Sequence, residues 1–235
     1  MATVPRFDLL PLAQTRHDNC GPHVFAMVVP PAFLAADAEL EWLSTEEKSA
    51  RAAMGSARRR AQFAAGRWLL QHAGRFVLGD SARYRVQLVD ERPFLAIEGA
   101  AARVAASLSH SGDRVLGALA TAGLVGVDVE RIRPRKEWDE LASFALHPAE
   151  RERIDALQGA ARWRGFYRAW TLKEAMAKAL GIGLALPFNR ISFSTDNCIE
   201  AAPRGDGLMD GIWHFYTLEL GAEYAAAAAW REASA

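Results

Sequence analysis

A helical stretch followed by short strands occurs twice along this chain, and that order restricts the fold more than any other feature. Residues 44–73 carry a helical pattern and the segments after them read as strands up to residue 120; residues 160–180 are helical again, with strand-like segments to residue 230. The repetition predicts two similar α/β halves, a pseudo-duplication joined near Thr121–Gly123, with expected domains of residues 1–122 and 123–235. At 235 residues the chain is long enough for each half to bury its own core.

In the first half, residues 1–21 are polar and proline-punctuated, an extended lead-in, and His23–Val29 is the first expected strand. Ser44–Glu47 reads as a capping box, because the serine oxygen can cap a free amide while the glutamate three residues on reaches back. The helix that follows is expected to break at Gly55 and to end at Gly74 as its C-cap. Arg51, Arg58, Arg59, Arg60 and Arg67 give it a basic excess, with Arg60 and Arg67 on nearly the same face. Tyr84–Val89 and Phe94–Ile97 read as strands around an Asp90–Pro93 turn. Arg103–Ser109 and Arg114–Ala120 form a hairpin with His110 at its tip. In the second half a helix carries Trp138, Leu141 and Phe144, and Asn189–Thr195, Ile212–Leu220 and Tyr224–Trp230 are closing strands.

The chemistry concentrates in two stretches. Gly165–Gly183 is helical, and at about 100° per residue Phe166, Trp170, Ala177 and Gly181 form an apolar stripe with Glu174 inside it. A buried carboxylate is normally paired, metal-bound or protonated, so a cationic partner is expected for Glu174. Gly126–Glu130, GVDVE, is a short alternating strand whose period of two puts Asp128 and Glu130 on one face. With Glu174 they make three carboxylates, a set suited to a hard cation with oxygen ligands, magnesium before others. Lys173 and Lys178 flank Glu174 and are candidates to contact phosphate as point charges.

GVDVE followed some forty residues later by W-T-L-K-E-A-x-x-K-A-x-G from Trp170, with SLSHSG at Ser107–Gly112 and ERP at Glu91–Pro93 upstream, resembles the Sfp-type 4′-phosphopantetheinyl transferases. The resemblance implies two similar α+β halves with the active site in the cleft between them. It implies transfer of 4′-phosphopantetheine from coenzyme A to a serine of an acyl or peptidyl carrier protein, releasing 3′,5′-ADP. Coenzyme A would be bound by the N-terminal half: Arg60 and Arg67, then Arg92 and Pro93 of a G-K-P-type motif in which Glu91 replaces the usual glycine, then Ser109, His110 and Ser111, together with Lys173 and Lys178 of the C-terminal half. That half would hold Mg²⁺ on Asp128, Glu130 and Glu174 and contact the carrier. Glu174, or a water activated by the metal, would accept the serine proton, with Glu130 as the second choice and Lys178 beside them. Carrier proteins are acidic around the modified serine, which suits the basic run of Arg131, Arg133, Arg135 and Lys136. The alternatives left open are a magnesium-dependent phosphohydrolase and a non-catalytic nucleotide-binding module.

Composition narrows the classes further. Lys+Arg 28 balance Asp+Glu 28, so no global field draws in nucleic acid or membrane. Cys20 and Cys198 lie far apart and offer no disulfide framework or CxxC metal site. A cytoplasmic protein is expected, without a signal peptide or membrane span, because the first residues carry charge and proline where an apolar run would be needed. A cleft formed within one chain would make a monomer sufficient.

Overall fold

Two helices of 22 residues each, α2 (Ala57–Leu78) and α5 (Gly159–Leu180), frame the fold. The computed structural model describes residues 6–10, 21–35, 40–80, 82–89, 92–202, 207 and 209–233. Strands β1 (Asp8–Leu10), β2 (His23–Val28), β3 (Tyr84–Val89), β4 (Arg92–Ile97), β5 (Arg103–Ser111) and β6 (Arg114–Ala120) form an antiparallel sheet in the order β1-β2-β6-β5-β4-β3. A second antiparallel sheet has the order β10-β11-β7, from β7 (Leu124–Arg131), β10 (Trp213–Thr217) and β11 (Tyr224–Arg231). β8 (Ser192–Phe193) and β9 (Ile199–Ala201) make a small ribbon, and α1 (Thr45–Ala52), α3 (Trp138–Ala145) and α4 (Pro148–Asp155) are short helices.

The repeated order in the sequence returns as repeated topology. In each half an opening strand, β2 or β7, precedes the long helix and pairs antiparallel with the last strand, β6 or β11. That last strand pairs on its other edge with the strand before it, β5 or β10. The α+β class and the two similar halves are thus present.

Burial explains why the central strands lack polar alternation. In β2, Phe25 and Met27 face the core beneath α2, while Val24 and Ala26 join a second core with Leu116 and Ala118 of β6 and Val125, Val127, Ala226 and Ala228 of the other sheet. The two sheets therefore pack face to face, and strands covered on both sides become continuous apolar runs. In β11, Ala226 and Ala228 face that shared core while Ala227 and Ala229 face α5.

At Gly126 strand and helix meet backbone to backbone. A Cβ there would lie 1.9 Å from the Ala175 carbonyl oxygen and 2.5 Å from the Ala179 nitrogen. This close approach brings α5 down onto the strand that carries Asp128 and Glu130. Gly126→Ala is expected to cost at least the ~1–3 kcal/mol typical of overpacking, because backbone cannot rotate aside as a side chain can. Urea denaturation of the variant measures it, and an unchanged midpoint would contradict the contact.

Several boundaries differ from expectation. The Ser44–Glu47 capping box is present, and the break near Gly55 separates α1 from α2, whose cap is Ser56. Gly74 is not a cap. It lies inside α2 because Leu95 and Tyr84 press against it, a Cβ falling 2.5 Å from Leu95 Cδ2, and the helix ends instead at Gly79, where φ is 101°. β5 runs on to Ser111, so His110 pairs with Val115 in the ladder and is not at the tip. Pro148 starts a separate helix α4, which splits the helical segment expected after Trp138. Part of the lead-in, Asp8–Leu10, is a strand; Cys20, Asp90 and Glu91 lie outside the described residues.

Candidate active site where the two sheets meet

β7 pairs with β11 along one edge, and its other edge is met by serines of β5 in place of another strand. Ser107 Oγ accepts the Val127 N–H (3.0 Å), Ser109 Oγ the Val129 N–H (3.2 Å) and Ser111 Oγ the Arg131 N–H (3.0 Å). Backbone donors that a sheet edge would leave unpaired are thereby satisfied. Two of these hydroxyls donate in turn to carboxylates: Ser109 to Asp128 Oδ1 and Ser111 to Glu130 Oε2, both at 2.8 Å. The period of two that puts Asp128 and Glu130 on one face also puts the three serines on one face, opposite to His110.

α5 supplies the other wall. Glu174 and Lys178 are one helical turn apart, and Lys178 Nζ donates to Asp128 Oδ1 at 2.7 Å. Arg59, Ser109, His110, Asp128, Glu130, Trp170, Glu174 and Lys178 line a common cleft of about 260 Å³. Burial pushes the Glu174 carboxyl above the usual carboxylate range, and the charges of Asp128 and Glu130 push it further against the pull of Lys178. Burial likewise raises Glu130; the Ser111 hydrogen bond opposes the rise and Asp128 adds to it. His110 is lowered by burial, then by the cations Arg59 and Lys178.

Because both glutamates are raised, between the ordinary carboxylate range and the raised values the folded chain holds more protons than the unfolded one. The stability that these two groups contribute is therefore lost as pH rises through that window. Metal-free wild type is expected to lose melting temperature there relative to Glu174→Gln, and a divalent cation is expected to restore it. Parallel pH curves for the two proteins would contradict this.

The structure brings Asp128, Glu130, Glu174, Lys178, Ser109 and His110 to one cleft, but it corrects other expectations. Glu174 has no ion pair among the described residues; Lys178 pairs with Asp128 instead. Lys173 does not reach the cleft. It is fully buried on another side of α5, and its three donors go to Glu150, the Ala145 carbonyl (2.6 Å) and the Phe188 carbonyl (2.9 Å). Arg60 donates to the Met54 carbonyl at 2.8 Å, and Arg67 pairs with Glu47 at 2.9 Å while lying over Phe63. Neither lines the cleft. Arg59 does, with Nη1 3.3 Å from His110 Nε2; Arg59, Gln62 and Gly66 share the face of α2 that packs on β5 and its turn, where Gln62 donates to the Gly112 carbonyl at 2.9 Å. Arg92 packs instead against Gly181, the left-handed C-cap of α5, where a Cβ would lie 2.2 Å from its Nε. Pro93 sits in the β3–β4 ladder opposite Leu88.

The three carboxylates share the cleft without converging. Among the described residues no three His, Cys, Asp or Glu side chains lie close enough to enclose a metal ion. One observation favours a cation nonetheless: Asp128 Oδ2 is buried with no hydrogen-bond partner. A buried carboxylate oxygen left unpaired is costly, and a hard cation is a fitting partner for it.

Residues 124–229, from β7 almost to the end of β11, match the family model of the 4′-phosphopantetheinyl transferase superfamily. The match covers somewhat less than half of the chain. Among its relatives, the 4′-phosphopantetheinyl transferase AcpT of Escherichia coli (strain K12) is 41% identical over 75 residues, 32% of this chain and 38% of that protein. The 4′-phosphopantetheinyl transferase HetI of Nostoc sp. is 30% identical over 146 residues, 53% of this chain and 62% of that protein. The chain thus spans less than two thirds of either relative. A holo-(acyl-carrier-protein) synthase from Bacillus anthracis str. Ames, solved in complex with CoA, aligns with a TM-score of 0.40 at 22% identity, covering 48% of this chain and 98% of that one. The matched segment contains Asp128, Glu130, Glu174 and Lys178, whereas Arg59, Ser109 and His110 come from outside it.

Proposed function

We propose that the chain transfers 4′-phosphopantetheine from coenzyme A to a serine of an apo acyl or peptidyl carrier protein and releases 3′,5′-ADP. The observation that carries this reading is the gathering of Asp128, Glu130, Glu174, Lys178 and His110 in one cleft, four of them from the segment that matches the 4′-phosphopantetheinyl transferase superfamily model. The relatives named above carry this activity in their names.

In the proposed reaction the carrier serine Oγ attacks the pyrophosphate phosphorus that bears the pantetheine arm. An O–P bond forms, the bond to the bridging oxygen breaks, and that oxygen leaves with 3′,5′-ADP. The serine proton passes to Glu174, whose raised pKa makes it a stronger base than an ordinary carboxylate; Glu130 is the second choice. Lys178, once it exchanges Asp128 for substrate, and Arg59 offer charged donors to the phosphate oxygens. Asp128, Glu130 and Glu174 would hold Mg²⁺, which when bound neutralises pyrophosphate charge. Arg133, Arg135 and Lys136 are exposed just beyond the end of β7, beside the cleft, where an acidic carrier would dock.

No described helix is long and apolar enough to cross a membrane. Cytoplasmic action by a single copy of the chain is part of the proposal. Incubation with coenzyme A, Mg²⁺ and an apo carrier protein, followed by the mass of the carrier, tests it. A transferase adds the arm. Phosphate release without a carrier would mark a phosphohydrolase, and binding with neither would mark a nucleotide-binding module.

A further inference from the structure

We infer that Ser109 and Ser111 are positioning residues for the cation-binding carboxylates and do not contact the phosphates of the coenzyme. This rests on the metal reading proposed above. A serine hydroxyl has one proton to give. Ser109 spends its proton on Asp128 Oδ1 while accepting the Val129 N–H, and Ser111 spends its proton on Glu130 Oε2 while accepting the Arg131 N–H. Neither has a donor left for a phosphate oxygen. Turning either hydroxyl toward the cleft would unpair a backbone donor of β7, and at Val129 that donor is buried, which is costly.

The turn that follows them is held from both halves. Its Gly112 carbonyl accepts from Gln62 of α2, and Asp113 accepts the Tyr224 hydroxyl of β11 at 2.6 Å. Tyr224 lies so close that a Cβ at Gly112 would stand 2.4 Å from its oxygen, and Gly112 has a φ of 59°. The serines are thus anchored to the N-terminal sheet while the carboxylates they orient belong to the other. The N-terminal half sets the cation affinity without giving a ligand. Partners of ligating carboxylates commonly act in this way.

Ser107 provides the internal control, because it accepts the Val127 N–H in the same ladder and touches no carboxylate. The probe is Mn²⁺, which shares the oxygen ligands of Mg²⁺ and whose free form is counted by electron paramagnetic resonance. Ser109→Ala and Ser111→Ala are expected to weaken Mn²⁺ binding to otherwise metal-free protein roughly 10- to 100-fold. Ser111→Thr, which keeps the hydroxyl, is expected to bind as wild type does, and Ser107→Ala is expected to lose melting temperature without losing Mn²⁺. Coenzyme A affinity measured in EDTA is expected to be unchanged in all four. Unaltered Mn²⁺ affinity in both Ser109→Ala and Ser111→Ala would overturn the inference, as would a loss of coenzyme A affinity in EDTA. A wild-type protein that binds no Mn²⁺ yet modifies the carrier would remove the metal reading and this inference together, leaving the transferase reading in place.

Discussion

Glu174→Gln is expected to slow pantetheine transfer by roughly two to four orders of magnitude, the range for a lost general base, while leaving the metal-free protein at least as stable as wild type. The two effects have one cause. Glu174 shares its cleft with Asp128 and Glu130, whose charges raise its pKa along with burial, so removing its charge relieves like-charge repulsion. On the proposed mechanism the same change also removes the proton acceptor and a cation ligand. A carboxylate retained only for structure would behave in the opposite way, because its substitution would strand a cationic partner. Glu174 has no such ion pair among the described residues. Thermal melts without metal and single-turnover transfer with excess Mg²⁺ separate the two roles. A variant that transfers at a near-normal rate would refute the assignment.

Lys173→Met is expected to cost about 3–5 kcal/mol of stability, the penalty for removing one partner of a buried ion pair. Lys173 and Glu150 have side-chain exposures of 0% and 3%. Glu150 also accepts the His147 N–H at the start of α4 and the Phe193 N–H of β8, while Lys173 ties in the carbonyls of Ala145 and Phe188. One buried pair therefore gathers the end of α3, the start of α4 and the turn before β8 against α5. Methionine fills similar space but leaves the Glu150 charge without its cation. Adding Glu150→Gln, which can still accept from Phe193, is expected to recover most of the loss. The lysine next to Glu174 could equally have been a phosphate contact, and the measurement tells the roles apart. A phosphate contact would raise KM for coenzyme A at unchanged stability, and a Lys173→Met protein that melts with wild type would show the buried pair to be unimportant.

The carboxylates were legible in the sequence because strand and helix periods are local. GVDVE puts Asp128 and Glu130 on one face whatever surrounds it, and Glu174 breaks an apolar stripe. The arginines were less legible for the opposite reason. Which face of α2 looks onto β5 is fixed by where Gly66 and Gln62 meet Leu108 and Gly112, a tertiary fact that singled out Arg59 over Arg60 and Arg67. Lys173 misled because adjacency in sequence says little about side on a helix, where neighbours diverge by about 100°. The serines of SLSHSG carried a true signal in their spacing. It pointed across to β7, and only the packing of the sheets revealed that.

That packing also limits how the protein can move. Val24, Leu116, Ala118, Val127, Ala226 and Ala228 from both sheets form one continuous apolar cluster, so swinging the halves apart as a hinge would hydrate a core instead of opening a wet crevice. Each such side chain is worth on the order of 1 kcal/mol or more when buried. Turnover is therefore expected to proceed without domain opening, on small displacements at the rim such as the release of Asp128 by Lys178, and catalysis should tolerate a cross-link between the sheets far from the cleft.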